Sequence, residues 1–532
     1  MRRWNGWGEE STDYPLPPSA KEYLEKQIGA GLSLEDASLI DTLSQVPESR
    51  LPGHALISNL PADRLLHARG QSLPDWVALR SGCIQHFPDG VAFPQDLSAV
   101  KTLLEFARQT HTILIPYGGG TSVVGHINPL PGEAPILTVD LSRMNHLVDL
   151  DETSHLATFE AGISGPEIGK HLQDRGFTLG HYPQSFEFST LGGWIATRSS
   201  GQQSYHYGRI EHLFAGGHVQ SFLGEMEMPV HPASAAGPDL KQFFLGSEGR
   251  FGILTRATVR IQRIPESESF HAAFFHDWET GSEAVREIAQ AGIPVSMLRL
   301  SNALETATTL ALSGKKDLVL WAERALDWVR YDDQRCLLIF GLTGSRSLTR
   351  YAYKQATHII RSHAGLPTGT LIGRMWRKSR FLSPYLRNTL WEQGYALDTL
   401  ETAMPWSGIP HCARDVLASL KDGLAEIGES VLAFAHLSHV YQDGASLYVT
   451  YLYRRAEDPQ ETLRRWQILK STASQIIVQR QGTITHQHGI GRDHASYLAS
   501  EKGVLGMQTL KALGNLLDPQ GLLNPGKLLL EE

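Results

Sequence analysis

The sequence predicts an α+β protein in which a first domain of mixed strands and helices is covered by a second sheet-and-helix domain. Three observations predict it. The apolar run Ile113-Leu114-Ile115 empties into Pro116-Tyr117-Gly118-Gly119-Gly120-Thr121-Ser122, a strand followed by a triple-glycine loop. More small-residue turns recur at predicted strand ends over the next stretch of chain, and the strand–helix alternation resumes beyond residue 266 with many aromatics. At 532 residues the chain exceeds what one core can organise. The expected division is 1–87, an N-terminal helical region; 88–265, the nucleotide-binding domain; 266–475, an α+β cap; and 476–532, a C-terminal segment with helix that completes the site.

Taken in order, residues 19–80 read as helical, with Ser33-Leu34-Glu35-Asp36 as a helix start. Val100, Leu103, Leu104 and Ala107 form a stripe at helical spacing before the strand at 113–117. Strands are expected at 136–141, 156–161 and 253–261, and a helix at 166–175, where Pro166 suits a first turn. Mixed strands and helices of this kind make an α+β layer structure.

Composition excludes several function classes. A formal charge of −8 gives no basic footprint for nucleic acid. Cys83, Cys336 and Cys412 show no paired spacing, which argues against a disulfide framework or a cysteine-rich metal site and suits a reducing compartment. Arg2 and Arg3 are not followed by an apolar stretch of secretory type, no apolar run approaches a bilayer span, and Leu-Leu-Leu-Glu-Glu is not a peroxisomal address. The expectation is a cytoplasmic protein, with peripheral membrane association and a homodimer both compatible with it.

The glycine loop has a physical purpose. Without Cβ atoms, successive N–H groups can approach an external group and form a concave anion nest suited to a pyrophosphate. Glu160-Ala161-Gly162-Ile163-Ser164-Gly165, the segment 183–193 and Gly246-Ser247-Glu248-Gly249-Arg250-Phe251-Gly252 are further turns of the same kind. Four such loops at strand ends fit a large ligand lying along one edge.

Together these loops resemble the FAD-binding domain of the vanillyl-alcohol oxidase/PCMH superfamily. Within it, Arg3-Trp4-Asn5-Gly6-Trp7-Gly8 and the segment Glu187–Gly201 are similar to signatures of alkyldihydroxyacetonephosphate (alkylglycerone-phosphate) synthases. The resemblance implies a PCMH-type FAD-binding domain and a cap. It places Pro116, Gly118, Gly119, Gly120, Thr121 and Ser122 at the pyrophosphate, and Pro183, Ser189, Thr190, Gly192 and Gly193 along the flavin and ribityl side. Glu248 and Gly252 would stand near the same cofactor. Thr121 occupies the place of the histidine found in members with covalent flavin, so non-covalent FAD is expected. The implied reaction exchanges the acyl group of acyl-dihydroxyacetone phosphate for a fatty alcohol, with FAD holding the substrate covalently rather than accepting net electrons. The implied partner is a phosphorylated lipid substrate.

Such chemistry needs an acid/base group near a C–H bond and a cation for the phosphate. The resemblance assigns Tyr448, in Gly444-Ala445-Ser446-Leu447-Tyr448, as the acid/base group. It assigns His486 and His488 as proton-transfer partners, Arg387 to the substrate, and Arg299 to a position near the flavin. No metal is expected. Gln487 departs from the family's triplet of histidines, and a glutamine cannot shuttle a proton. The rival is an FAD-dependent 2-hydroxy acid dehydrogenase of D-lactate or glycolate type. The segment His436–Ala445 lacks that group's Asp-Gly-Asn element, and Gln487 stands where it has a carboxylate.

Overall fold

The computed structural model describes residues 1–312 and 333–530. Eleven strands belong to the first half: β1 (Ile57–Ser58), β2 (Gly90–Ala92), β3 (Ile113–Tyr117), β4 (Ile136–Asp140), β5 (Leu147–Asp151), β6 (Leu156–Glu160), β7 (Phe177–Thr178), β8 (Phe214–Gln220), β9 (Glu225–Met228), β10 (Ile253–Arg260) and β11 (Gln262–Arg263). They make a four-stranded sheet in the order β1-β2-β4-β3 and a five-stranded sheet in the order β5-β6-β10-β8-β9, with β11 and β7 as a small pair. The strand expected at 113–117 is β3, parallel to β4. Its helical partner, Leu97–Thr110, is capped by the Asp96 carboxylate accepting from the Ala99 N–H at 2.8 Å, and it buries the expected stripe.

Helices in the N-terminal region run over Pro18–Ile28, Leu39–Ser44, Pro61–Leu66 and Leu73–Ser81. The helix start expected at Ser33 is corrected to Leu39. Ser38 accepts from the Asp41 N–H and is the cap, whereas the Ser33 hydroxyl donates to the Glu392 carbonyl in the cap domain. Two short polar residues five apart compete for the same role, and tertiary contact decides between them.

Among the described residues the cap forms a seven-stranded sheet with strands β12 (Ser267–Phe275), β13 (Met297–Ser301), β14 (Cys336–Gly344), β15 (Leu366–Gly369), β16 (Tyr395–Pro405), β17 (Val431–Val440) and β18 (Gly444–Arg454). Their order is β15-β12-β14-β13-β17-β18-β16. Strand alternation divides each side chain between two faces. Leu298, Leu300, Leu338, Phe340, Leu447 and Val449 point into the largest buried cluster with the cap helices. Met297, Arg299, Ile339, His436 and Tyr448 point the other way, into a cavity beneath the sheet.

The C-terminal segment returns to the first domain. The Leu114 N–H donates to the Leu522 carbonyl and the Asn524 N–H to the Leu114 carbonyl, at 2.7 and 2.8 Å, so the chain end lies alongside β3. Ile484, Ile490, Leu498, Leu517 and Leu528 join the same core as Phe159, Trp194 and Phe214.

Candidate active site

A cavity of about 930 Å³ runs between the two domains. That volume stands near the upper end of single-ligand sites, roughly 300–1,000 Å³. Every residue expected around the cofactor lines it, from Pro116 and the loop Gly118–Ser122 to Pro183, Ser189, Thr190, Gly192, Gly193, Glu248 and Gly252.

The glycines are needed for close approach between loops. A Cβ on Gly119 would stand 1.8 Å from the Phe188 carbonyl oxygen, and one on Gly118 2.3 Å from the Thr190 hydroxyl. Gly120 has φ +65, a conformation that side chains disfavour. The polar side chains nearby are largely engaged with the protein. Thr190 caps the helix Leu191–Thr197, while the Ser189 hydroxyl donates to the Ser185 carbonyl and accepts from the Trp194 indole. The wall therefore offers backbone and small atoms to a ligand, as an FAD cradle requires. Glu248 does something the sequence did not reveal: its carboxylate accepts from the Ile490 and Gly491 N–H groups at 2.5 and 2.8 Å. It staples the His486–Gly491 segment to the nucleotide-binding domain.

The opposite wall is built by register. Glu401 on β16, Tyr448 on β18 and His436 on β17 are direct cross-strand partners, so all three side chains share a face. The Tyr448 ring stacks on His436, with centroids 4.9 Å apart, and meets His488 edge-on at 5.7 Å. The Glu401 carboxylate is wholly buried and accepts hydrogen bonds from Ser438 at 2.8 Å, Ser446 at 3.1 Å and His486 Nδ1 at 3.1 Å. His488 Nε2 lies 3.9 Å from the other oxygen.

The structure separates the two predicted histidines. His488 lines the cavity together with Gln487. His486 lies behind it, with Nδ1 on Glu401 and Nε2 2.6 Å from the Tyr441 hydroxyl, while its carbonyl accepts from Arg209. Arg299 faces the cavity but is already paired: its guanidinium donates to Glu305 at 2.7 Å, and Glu305 also contacts His436 Nδ1 at 3.0 Å.

Arg387 is different. It lies on the helix Leu386–Glu392, packs at 4.4 Å over the Trp76 ring and donates through Nη1 to the Gln71 carbonyl. Among the described residues its Nε and Nη2 have no hydrogen-bond partner, although both are buried.

Electrostatics follow from this burial. Burial lowers the Arg387 guanidinium to about 10, against the opposing pull of Asp398 and Asp75. Burial pushes the Tyr448 phenol well up and the His488 imidazole down, so the first is protonated and the second neutral at physiological pH. Burial alone would raise Glu401, but His486, hydrogen-bonded to it, outweighs that and holds it far below the carboxylate range. Glu305 is likewise held down, at about 2, because His436 and Arg299 outweigh its burial. Glu401, His439 and His486 also bring one nitrogen or oxygen each to within 4.8 Å of one another, a spacing a divalent cation could bridge. Hydrogen bonds from Ser438, Ser446 and His486 already use that carboxylate.

Glu401, Glu305 and Arg209 were not predicted. A lone Glu in a strand of alternating polarity carries no local signal; only the pairing of β16 with β18 shows that it faces Tyr448. Trp7, in the N-terminal signature segment, is buried and also lines the cavity.

The fold and this site define a flavin-dependent class. Residues 88–226 match the family described as FAD binding domain, and residues 264–528 match FAD linked oxidases, C-terminal domain. The chain belongs to this PCMH-type FAD-linked oxidase family, and FAD is its cofactor. Within the family it is similar over its whole length to alkyldihydroxyacetonephosphate synthases. The enzyme of Trypanosoma brucei brucei is 29% identical over 99% of this chain and 92% of its own length. That of Dictyostelium discoideum is 27% identical over 99% and 93%. A solved alkyldihydroxyacetonephosphate synthase structure superposes with a TM-score of 0.84 at 24% identity, covering 98% of both chains, and shows the same fold.

Proposed function

We propose that the protein exchanges the acyl group of acyl-dihydroxyacetone phosphate for a fatty alcohol, the reaction of an alkylglycerone-phosphate synthase. The observation that carries the reading is Arg387: a buried cation with two nitrogens free among the described residues, on the wall of a cavity that also contains the glycine nest. An unpaired guanidinium in such a place is costly unless a ligand supplies the anion, and a phosphate is well matched to its fork. A 2-hydroxy acid would use the charge but not the apolar branch of the same cavity, where Met297, Leu337, Ile339, Ile372 and Trp376 offer room for an aliphatic chain.

Bound FAD would supply an electrophilic centre for the exchange of one oxygen substituent for another, with no net oxidation. Gly118, Gly119, Gly120, Thr121 and Ser122 hold its pyrophosphate, and Ser189, Thr190, Gly192 and Gly193 its flavin side. With Thr121 where a histidine could have formed a bond to the flavin, the cofactor is held non-covalently. Neutral His488 removes the proton from the carbon beside the carbonyl. The buried carboxylate of Glu401, 3.9 Å away, stabilises the imidazolium that results. Protonated Tyr448 donates to the departing carboxylate, and the incoming alcohol later returns that proton. His486 positions Glu401 instead of meeting substrate. Gln487, whose Oε1 lies 3.4 Å from His439, orients polar groups without titrating.

No helix among the described residues is long and apolar enough to cross a membrane. An amphipathic substrate fits a cytoplasmic enzyme in peripheral contact with lipid, acting as a monomer or homodimer. The test is hydrogen exchange. In heavy water without alcohol, the holoprotein should wash one deuterium into the carbon next to the carbonyl of acyl-dihydroxyacetone phosphate. Absence of exchange, with FAD and substrate both bound, would overturn the proton-abstraction step.

A further inference from the structure

The N-terminal stretch of residues 2–8, which contains Trp-Asn-Gly-Trp-Gly, is unused by the chemistry above, yet it touches both halves of the site. At one end the Arg2 guanidinium donates to the Gly119 carbonyl and lies over the Phe188 ring, 5.6 Å from its centroid. Phe188 is the residue whose carbonyl oxygen packs against Gly119. At the other end the Trp7 N–H donates to Asn388 Oδ1 and Asn388 Nδ2 donates back to the Trp7 carbonyl, both at 3.0 Å. Asn388 directly follows Arg387. Gly8 makes the approach possible, since a Cβ there would fall 2.2 Å from the Tyr385 ring.

Peptide geometry gives the Arg2 contact a consequence. Across a planar trans peptide the carbonyl and the following N–H point in opposite directions. Gly118, Gly119 and Gly120 line the cavity, whereas Arg2, the partner of the Gly119 carbonyl, is not among the residues lining it. Holding the Gly119 carbonyl outward therefore holds the Gly120 N–H inward, toward the nest. Glycines have little to resist a peptide flip, so the loop needs such an anchor.

We propose that Arg2 is a cofactor-positioning residue: it fixes the Gly119–Gly120 peptide so that its N–H faces the FAD pyrophosphate, and residues 2–8 strap that loop to the helix carrying Arg387. The inference rests on the flavin site and not on the reaction, so it survives or fails independently of the proposed activity.

The test uses Arg2→Met, which keeps the stem over Phe188 and removes the donor, with Arg2→Lys beside it. FAD affinity is read from flavin fluorescence on dilution of the full-length holoprotein, and riboflavin affinity by quenching with the flavin-stripped full chain. Riboflavin has no phosphate and does not use the nest. Arg2→Met should weaken FAD about tenfold, some 1.4 kcal/mol, while riboflavin binding changes less than about twofold. Arg2→Lys should stay within about threefold of the unmodified protein for FAD. Unchanged FAD affinity in Arg2→Met, or an equal loss for FAD and riboflavin, overturns the proposal. If Arg2→Met does not fold, Arg2→Lys decides alone: a loss of more than about tenfold for FAD counts against it.

Discussion

Replacing Arg387 by Met separates the cost of an unpaired cation from its use. In the free protein the guanidinium is lowered to about 10 from an ordinary value of 12.5. That difference corresponds to a destabilisation on the order of 3 kcal/mol for the charged form, an upper bound given its partial contact with the cavity. The sign follows from linkage: a base whose folded value is depressed binds its proton less well when folded, so its charge opposes folding at pH 7. Methionine keeps the stem over Trp76, so the variant's melting temperature should match or exceed that of the unmodified protein. Ligand binding should move the other way. Two charge-assisted hydrogen bonds, roughly 1.5–3 kcal/mol each, amount to about 3–6 kcal/mol, or roughly 10²–10⁴ in affinity. Thermal-shift titration with dihydroxyacetone phosphate reads both quantities in one experiment. A marked fall in melting temperature without ligand, or an undiminished shift with it, would refute the role of Arg387 as a cation held in reserve for phosphate.

Three further perturbations probe the rest of the site. Tyr448→Phe should leave the bound-flavin spectrum intact and lower turnover by about 10²–10⁴; near-normal turnover removes the phenol from the mechanism. Glu401→Gln removes the charge that favours the imidazolium of His488, so the acid limb of the pH–rate profile, already below pH 6.5 because burial lowers His488, should move lower still while the maximal rate falls. An unmoved limb would mean that Glu401 does not act through His488. Glu305→Gln tests stability: a carboxyl held at about 2 against an ordinary 4.5 contributes on the order of 3 kcal/mol that is present above pH 4.5 and lost as pH falls toward 2. The variant's melting temperature should therefore depend less steeply on pH across that window, and parallel profiles would show that the Arg299–Glu305–His436 group is not coupled to folding.

Much of the first domain could be read along the chain because its signals are local. The strand into Gly118-Gly119-Gly120, the stripe at Val100–Ala107 and the turn at Gly246–Gly252 each announce themselves within a few residues; the two glycine-bearing loops line the cavity, and the stripe packs into the core beside β3. The cap resisted such reading. Tyr448, His436 and Glu401 face one another only because three successive strands pair in one register, with β18 between β17 and β16. Composition does not encode a pairing register. The same limit explains His486 and His488, two residues apart yet unequal: one is held between Glu401 and Tyr441, the other reaches the cavity. Glu248 lines the cavity as expected of a cofactor neighbour, but its second role as a staple was not legible, since the N–H groups it accepts from lie more than 240 residues away. The N-terminal tryptophan segment was legible as a signature, but its contacts with Gly119 and Asn388 were not.

The central claim is that this flavin site makes an ether without net electron transfer. The most direct measurement incubates the anaerobic holoprotein with acyl-dihydroxyacetone phosphate, a long-chain alcohol and an artificial electron acceptor, following lipid products by mass spectrometry and the acceptor by absorbance. The account predicts alkyl-dihydroxyacetone phosphate and free fatty acid in equal amounts with the acceptor unreduced. Sustained acceptor reduction with D-lactate or glycolate, and no ether product from the lipid pair, would contradict it.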